Sequence, residues 1–170
     1  MPYVGSYVWK LRQKVGHDLL VLPAVDITAI RDDGKILMVF NKDFDAWAFP
    51  GGLCEDGDAS WTSCALTELL EEGGVTAEKS DLVPFAAVSG VGWKFYYPNG
   101  DSTQCYSMHF VVKKWRISSD ILDDSEISER GFFSIDEIKE LNICKSAQIV
   151  FSAYEKYLET GELQMVEVAS

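Results

Sequence analysis

Between Lys42 and Lys79 the chain carries nine acidic residues and no basic one. Three of the nine, Glu68, Glu71 and Glu72, stand at i, i+3 and i+4, a spacing that puts them on one helical face. Like charges at that spacing repel by about 0.2–0.5 kcal/mol per pair. A surface helix ordinarily intersperses Lys or Arg, so the pattern asks for a positive charge that this stretch does not supply. Hard divalent cations take oxygen ligands, and Mg²⁺ typically takes one or two carboxylates plus waters and substrate phosphates. Just upstream, Pro50-Gly51-Gly52 offers backbone without side chains, where carbonyls can approach an ion or a phosphate. A solvated acidic face is the competing reading of the glutamates alone.

The elements that position these groups follow from periodicity. Residues 60–73 read as a helix with Ser60 as N-cap and Gly73-Gly74 as the stop; Ala65, Leu66, Leu69 and Leu70 are left for packing. Residues 5–15 form a short amphipathic helix. Residues 19–30 and 35–41 read as strands joined by the turn "RDDG", hence a hairpin, with Pro23 favouring an edge or a bend. Residues 46–52 are a strand end breaking into glycine. Two apolar or aromatic runs follow, then the turn at 98–101, a long strand over 103–115, an acidic loop over 118–129 and a short strand "GFFSI". Two helices, "DEIKEL" and 146–161, complete the chain. Strands, one central helix, more strands and closing helices describe an α+β protein with a mixed sheet flanked by helices, an α/β/α sandwich.

Composition sets bounds. With 170 residues, 47% hydrophobic and 25% charged, the chain fits one domain over 1–170 with a real core. A net charge of −12 argues against nucleic-acid binding, which needs a basic face, and suits divalent cations and metal-bound phosphates. Cys54, Cys64, Cys105 and Cys144 include no C-x-x-C pair, which argues against zinc and for reduced thiols. No signal peptide or membrane-length apolar run is expected, so the default location is cytoplasmic, with no membrane partner.

At this point the stretch resembles the signature box of the Nudix hydrolases: Gly, a gap of five, Glu, a gap of seven, then Arg-Glu-apolar-x-Glu-Glu-x-Gly-apolar. Gly52 matches its first Gly; Glu68, Leu69, Glu71, Glu72, Gly74 and Val75 match its end in register. "YPNGD" and the acidic loop before "GFFSIDEI" are similar to the same family. Three departures stand out. Asp58 replaces the first Glu, Ala59 lengthens the gap by one, and Thr67 replaces the Arg that in the family orients the box carboxylates.

The resemblance implies a Nudix-like sandwich and a pyrophosphohydrolase dependent on Mg²⁺ or Mn²⁺. It implies a substrate that is a nucleoside diphosphate linked to another moiety. It further implies that Glu68, Glu71 and Glu72 are metal ligands, joined by a carbonyl of Gly51 or Gly52, with Glu72 ranked first. Glu68 and Glu126 are the catalytic candidates, Glu126 as general base on the late loop with Glu129 behind it. For substrate binding, Trp47, Trp93, Phe95, Tyr96 and Tyr97 could stack on a base or simply pack the sheet, and Gly51 could meet phosphate. His109, in an apolar strand, reads as a structural histidine. A Nudix-fold module that binds a nucleotide or protein without turnover is the alternative, resting on Thr67 and the inserted residue. A homodimer stays open.

Overall fold

The computed structural model describes residues 4–118 and 126–170. In chain order the elements are α1 (Tyr7–Val15), β1 (Leu20–Ala29), β2 (Ile36–Asn41), β3 (Ala46–Ala48), β4 (Gly51–Leu53), α2 (Trp61–Glu71), β5 (Val75–Thr76), β6 (Val83–Ser89), β7 (Lys94–Tyr96), β8 (Ser102–Val112), β9 (Arg116–Ile117), β10 (Ile127–Phe133), α3 (Ile135–Glu140), α4 (Lys145–Thr160) and β11 (Gln164–Glu167). The main sheet runs β11-β6-β8-β1-β4, with β7 also paired to β8. It is mixed, since β1 lies parallel to β8 and β11 parallel to β6, while the other pairs are antiparallel. A second, antiparallel sheet runs β10-β2-β3. The α+β class and the mixed central sheet are therefore those expected. Among the described residues no helix is long and apolar enough to cross a membrane.

Two cores divide along the faces of the strands. On β2, Ile36 and Met38 belong to one cluster with Phe85, Val88, Phe151 and Tyr154, while Leu37 belongs to the other with Val25, Ile27, Cys64 and Leu69. That is the alternation of a strand buried on both faces. Helix α4 therefore covers one face and α2 the other. Leu69 is fully buried, and burial of such a side chain is worth about 1.5–3 kcal/mol. This anchors α2 and with it the glutamates on either side of Leu69.

The expected hairpin of β1 and β2 is corrected by the structure. Gly34 donates to the Arg31 carbonyl (2.8 Å), closing the turn. Beyond a single bridge between Ile30 and Ile36, however, the strands part into different sheets. Both edges of β1 are already taken, by β8 along its length and by β4 at Ala24–Asp26. Pro23 is not on an edge strand. Its carbonyl accepts from the Cys54 amide (3.1 Å), so its missing N–H faces the β4 side, just past the end of that short strand. The last strand, β11, was not expected; it follows Gly161, whose left-handed φ of 71° ends α4.

Candidate active site

Helix α2 begins at Ser60, whose hydroxyl accepts from the Ser63 amide (3.2 Å) while Ser63 Oγ accepts from the Ser60 amide (2.8 Å). This reciprocal cap fixes the first turn. With Cys64, Ala65 and Leu69 turned into the core, Glu68 and Glu72 fall one turn apart on the flank that meets β4. Both are half-buried, whereas Glu71 is exposed. The three glutamates are thus not equivalent.

Strand β4 is held against that flank by its own backbone. The Gly51 amide donates to Glu72 Oε2 (2.9 Å). A Cβ on Gly52 would lie 2.5 Å from Glu68 Oε1, and one on Gly51 would lie 2.3 Å from the Val25 carbonyl. Both positions need glycine because a carboxylate on one side and a neighbouring strand on the other leave no room. Gly51, Gly52, Glu68 and Glu72 are therefore brought together.

Two further acids converge there. Asp26 sits on β1 directly across from Gly51. Glu126, whose carbonyl accepts from the Lys42 amide (2.9 Å), enters from the start of β10. Glu129 is exposed on β10. The Glu68 carboxyl is raised well above the usual carboxylate range, first by burial, then by Glu72, Glu71, Glu126 and Asp26. Burial likewise pushes Glu72 up to about 8, opposed by the Gly51 amide and by Arg130. Both carboxyls are thus held where their ionised forms are disfavoured, by burial first and by the charge of neighbouring carboxylates besides.

The structure does supply one positive charge that the local stretch lacks. Arg130 on β10 donates through Nε to the Glu72 carbonyl and through Nη2 to the Glu71 carbonyl (3.4 Å). A guanidinium at a helix C-terminus also meets the negative end of the helix dipole. Thr67, which replaces the box Arg, is exposed, and its hydroxyl donates to the Ser63 carbonyl (3.2 Å). Neither Arg130 nor Asp26 was singled out from sequence. Asp26 had a visible signal, a lone acid inside the apolar run "LLVLPAVDITAI". Arg130 had none, being 58 residues from its acceptor.

The carboxylates form one wall of a cleft of about 560 Å³. Phe44, Trp93, Phe95 and Tyr97 form an aromatic wall. Phe44 lies 6.4 Å from Phe95 and 6.3 Å from Tyr97 between ring centroids. Trp93 is buried in the floor, its Nε1 donating to Ser107 Oγ (2.9 Å). Tyr96 is exposed. Trp47 is a correction. Its ring packs edge-on against Phe40 (5.6 Å) and Phe133 (4.9 Å), away from the cleft, because alternation on the three-residue strand β3 turns it into that aromatic cluster. His109 is fully buried, with Nε2 2.9 Å from Ser107 Oγ and Nδ1 3.1 Å from Asp26 Oδ2. The contact with Asp26 is one of proximity, since Nδ1 makes no aligned hydrogen bond.

A mixed sheet between helices thus sets two glutamates one turn apart against a double glycine. The NUDIX domain model matches residues 21–153, and the chain belongs to the Nudix family. It is 43% identical over 54 residues to nucleoside diphosphate-linked moiety X motif 6 of Xenopus laevis, a match covering 31% of this chain and 24% of that protein. The matched segment thus spans about a quarter of that relative. Among solved structures it resembles a MutT NUDIX hydrolase from Burkholderia pseudomallei (17% identity, 78% of this chain and 97% of that one, TM-score 0.62). It also resembles a UDP-X diphosphatase (21% identity, 93% of this chain and 73% of that one, TM-score 0.60).

Proposed function

We propose that the protein is a divalent-cation-dependent pyrophosphohydrolase that cleaves the diphosphate of a nucleoside diphosphate linked to another moiety. One observation carries the reading. Four carboxylates, those of Asp26, Glu68, Glu72 and Glu126, converge beside Gly51-Gly52 at the edge of a cleft whose other wall is aromatic. The donor set is all oxygen and strongly self-repelling, which fits Mg²⁺ or Mn²⁺ and not a soft metal. Glu68 and Glu72 would hold the ion, with Glu71 at the exposed rim and the backbone of Gly52 alongside. When bound, such an ion offsets phosphoryl charge and lowers the pKa of a coordinated water.

The chain's own residues do the rest. Glu126 accepts the proton of the attacking water, which adds to one phosphorus as the bridging P–O bond breaks. Arg130 holds the end of α2 so that Glu72 keeps its position. Phe44, Phe95 and Tyr97 offer faces on which a base can lie, which leaves the diphosphate over the glycine turn. Placement and charge compensation are the main needs of phosphoryl transfer. The test is a hydrolysis screen over ADP-ribose, nucleotide sugars, dinucleoside polyphosphates and nucleoside triphosphates with Mg²⁺ and with Mn²⁺. Turnover of a diphosphate-linked substrate that stops on chelation supports the reading. Binding without turnover would assign the chain to the non-catalytic members of its fold.

A further inference from the structure

A second group of ligand-type side chains follows the glycine turn in the chain, and one of them, Asp58, also lines the cleft. Cys54 follows β4, Asp58 sits in the loop before α2, and Cys64 lies on the first half of α2. The Sγ atoms of Cys54 and Cys64 and a carboxylate oxygen of Asp58 all lie within 4.8 Å of one another. Cys64 is buried, Cys54 and Asp58 are half-buried, and both cysteines are free thiols. We propose that Cys54, Asp58 and Cys64 form a second cation site, one that takes a soft or borderline divalent ion such as Zn²⁺.

The geometry is close to what such an ion needs. Zn–S distances of about 2.3 Å and Zn–O distances of about 2.0–2.2 Å in a tetrahedron put ligand atoms about 3.4–3.8 Å apart. The three atoms here need to close by no more than about 1.4 Å to reach that spacing. Their mounting is already set. Asp58 Oδ2 accepts from the Glu55 amide (2.8 Å), which fixes the carboxylate in the loop. Glu55 in turn accepts from the Tyr7 amide at the start of α1, and the Cys54 amide is bonded to Pro23. Cys64 rides on a helix fixed by its capping box. Three protein ligands leave one position for water.

The donor set distinguishes this site from the glutamate cluster. Thiolates select zinc-like ions, and carboxylates alone select magnesium-like ions. Binding converts two thiols to thiolates and releases two protons to solvent; no electron moves. The spacing that argued against zinc in the sequence was the lack of a C-x-x-C pair. Here the two cysteines are ten positions apart and are brought together by the turn between β4 and α2. An ion held there would bolt residues 54–58 to α2, two residues along the chain from Gly52, which itself lies against Glu68.

The experiment is a Co²⁺ titration of the full chain, kept reduced with a phosphine and held in excess Mg²⁺ to fill the all-oxygen site. Sulfur-to-cobalt charge-transfer absorption should rise and saturate at one equivalent. It should be bleached by Zn²⁺ and abolished in Cys54→Ser, and Asp58→Asn should weaken binding by at least about tenfold. Cys54 is half-buried, so the serine variant is expected to fold, and its circular dichroism melt checks this. Absence of the band in the wild type overturns the proposal. So does a band that persists in folded Cys54→Ser, which would place the ion on other thiols. A protein purified without reductant whose mass is lower by two hydrogens, with no cobalt band after reduction, would overturn it in favour of a Cys54–Cys64 disulfide. None of these outcomes depends on the hydrolase reading.

Discussion

Glu72→Gln should make the metal-free protein more stable while removing its response to metal. With Glu72 lifted from 4.5 to about 8 by burial, the native state binds a proton more tightly than the unfolded chain does. Stability contributed by the protonated form is complete below pH 4.5 and is lost as pH rises towards 8. By pH 7 about 3 kcal/mol of that stability is lost, because the unfolded carboxyl ionises while the buried one keeps its proton, a ceiling that local relaxation lowers. Glu68 is displaced in the same direction and adds to it. Glutamine keeps an oxygen for the Gly51 amide and drops the charge. The assay is urea unfolding in EDTA at pH 5 and at pH 7.5, for wild type and variant. Wild type should lose stability between the two pH values, and Glu72→Gln should lose much less. With saturating Mg²⁺ the wild-type trend should reverse, since ligands must be deprotonated to bind. A hundredfold excess over Kd should add about 2.7 kcal/mol. The variant should gain little from Mg²⁺ and lose about 10²–10³ in rate, by analogy with removing one preorganised charge-stabilising group. A Glu72→Gln protein that is less stable than wild type in EDTA at pH 7.5, or that Mg²⁺ stabilises fully, would refute the reasoning.

Gly52→Ala places a methyl 2.5 Å from Glu68 Oε1, so Glu68 must swing away. A Mg²⁺ titration followed by calorimetry should show affinity reduced by at least about tenfold, on the scale of disturbing a metal ligand's support. Arg130→Gln removes charged hydrogen bonds to the carbonyls at the end of α2 and should lower unfolding free energy by about 2 kcal/mol; equal denaturation midpoints would show that the guanidinium is idle. Thr67→Arg adds a cation on the exposed side of α2, where Arg130 already serves the other end, so kcat/KM should change within about tenfold. A variant that turns an inert protein into an enzyme would instead make the natural chain a binding module.

What was legible in the sequence is what local physics decides. The i, i+4 spacing of Glu68 and Glu72, the Ser60 cap, the double-glycine turn and the stop at Gly73-Gly74 depend on neighbours within a few residues, and each sits where periodicity puts it. The turn at 98–101 closes as expected, with the Gly100 amide donating to the Tyr97 carbonyl (2.9 Å). The acids Asp120, Asp123 and Asp124 of the late loop lie outside the described residues. What the tertiary structure decided is every pairing across long separations. A turn residue pattern joins β1 to β2 but cannot say that β8 and β4 will occupy both edges of β1. Alternation along β3 does not reveal that Phe40 and Phe133 will claim Trp47. Asp26 faces the site only because β1 lies beside β4, and Arg130 only because β10 runs past the end of α2. Charge repulsion among the glutamates is written in the local spacing. The groups that offset it come from strands far along the chain, and only folding brings them into range of a force that fades within a few ångströms of water.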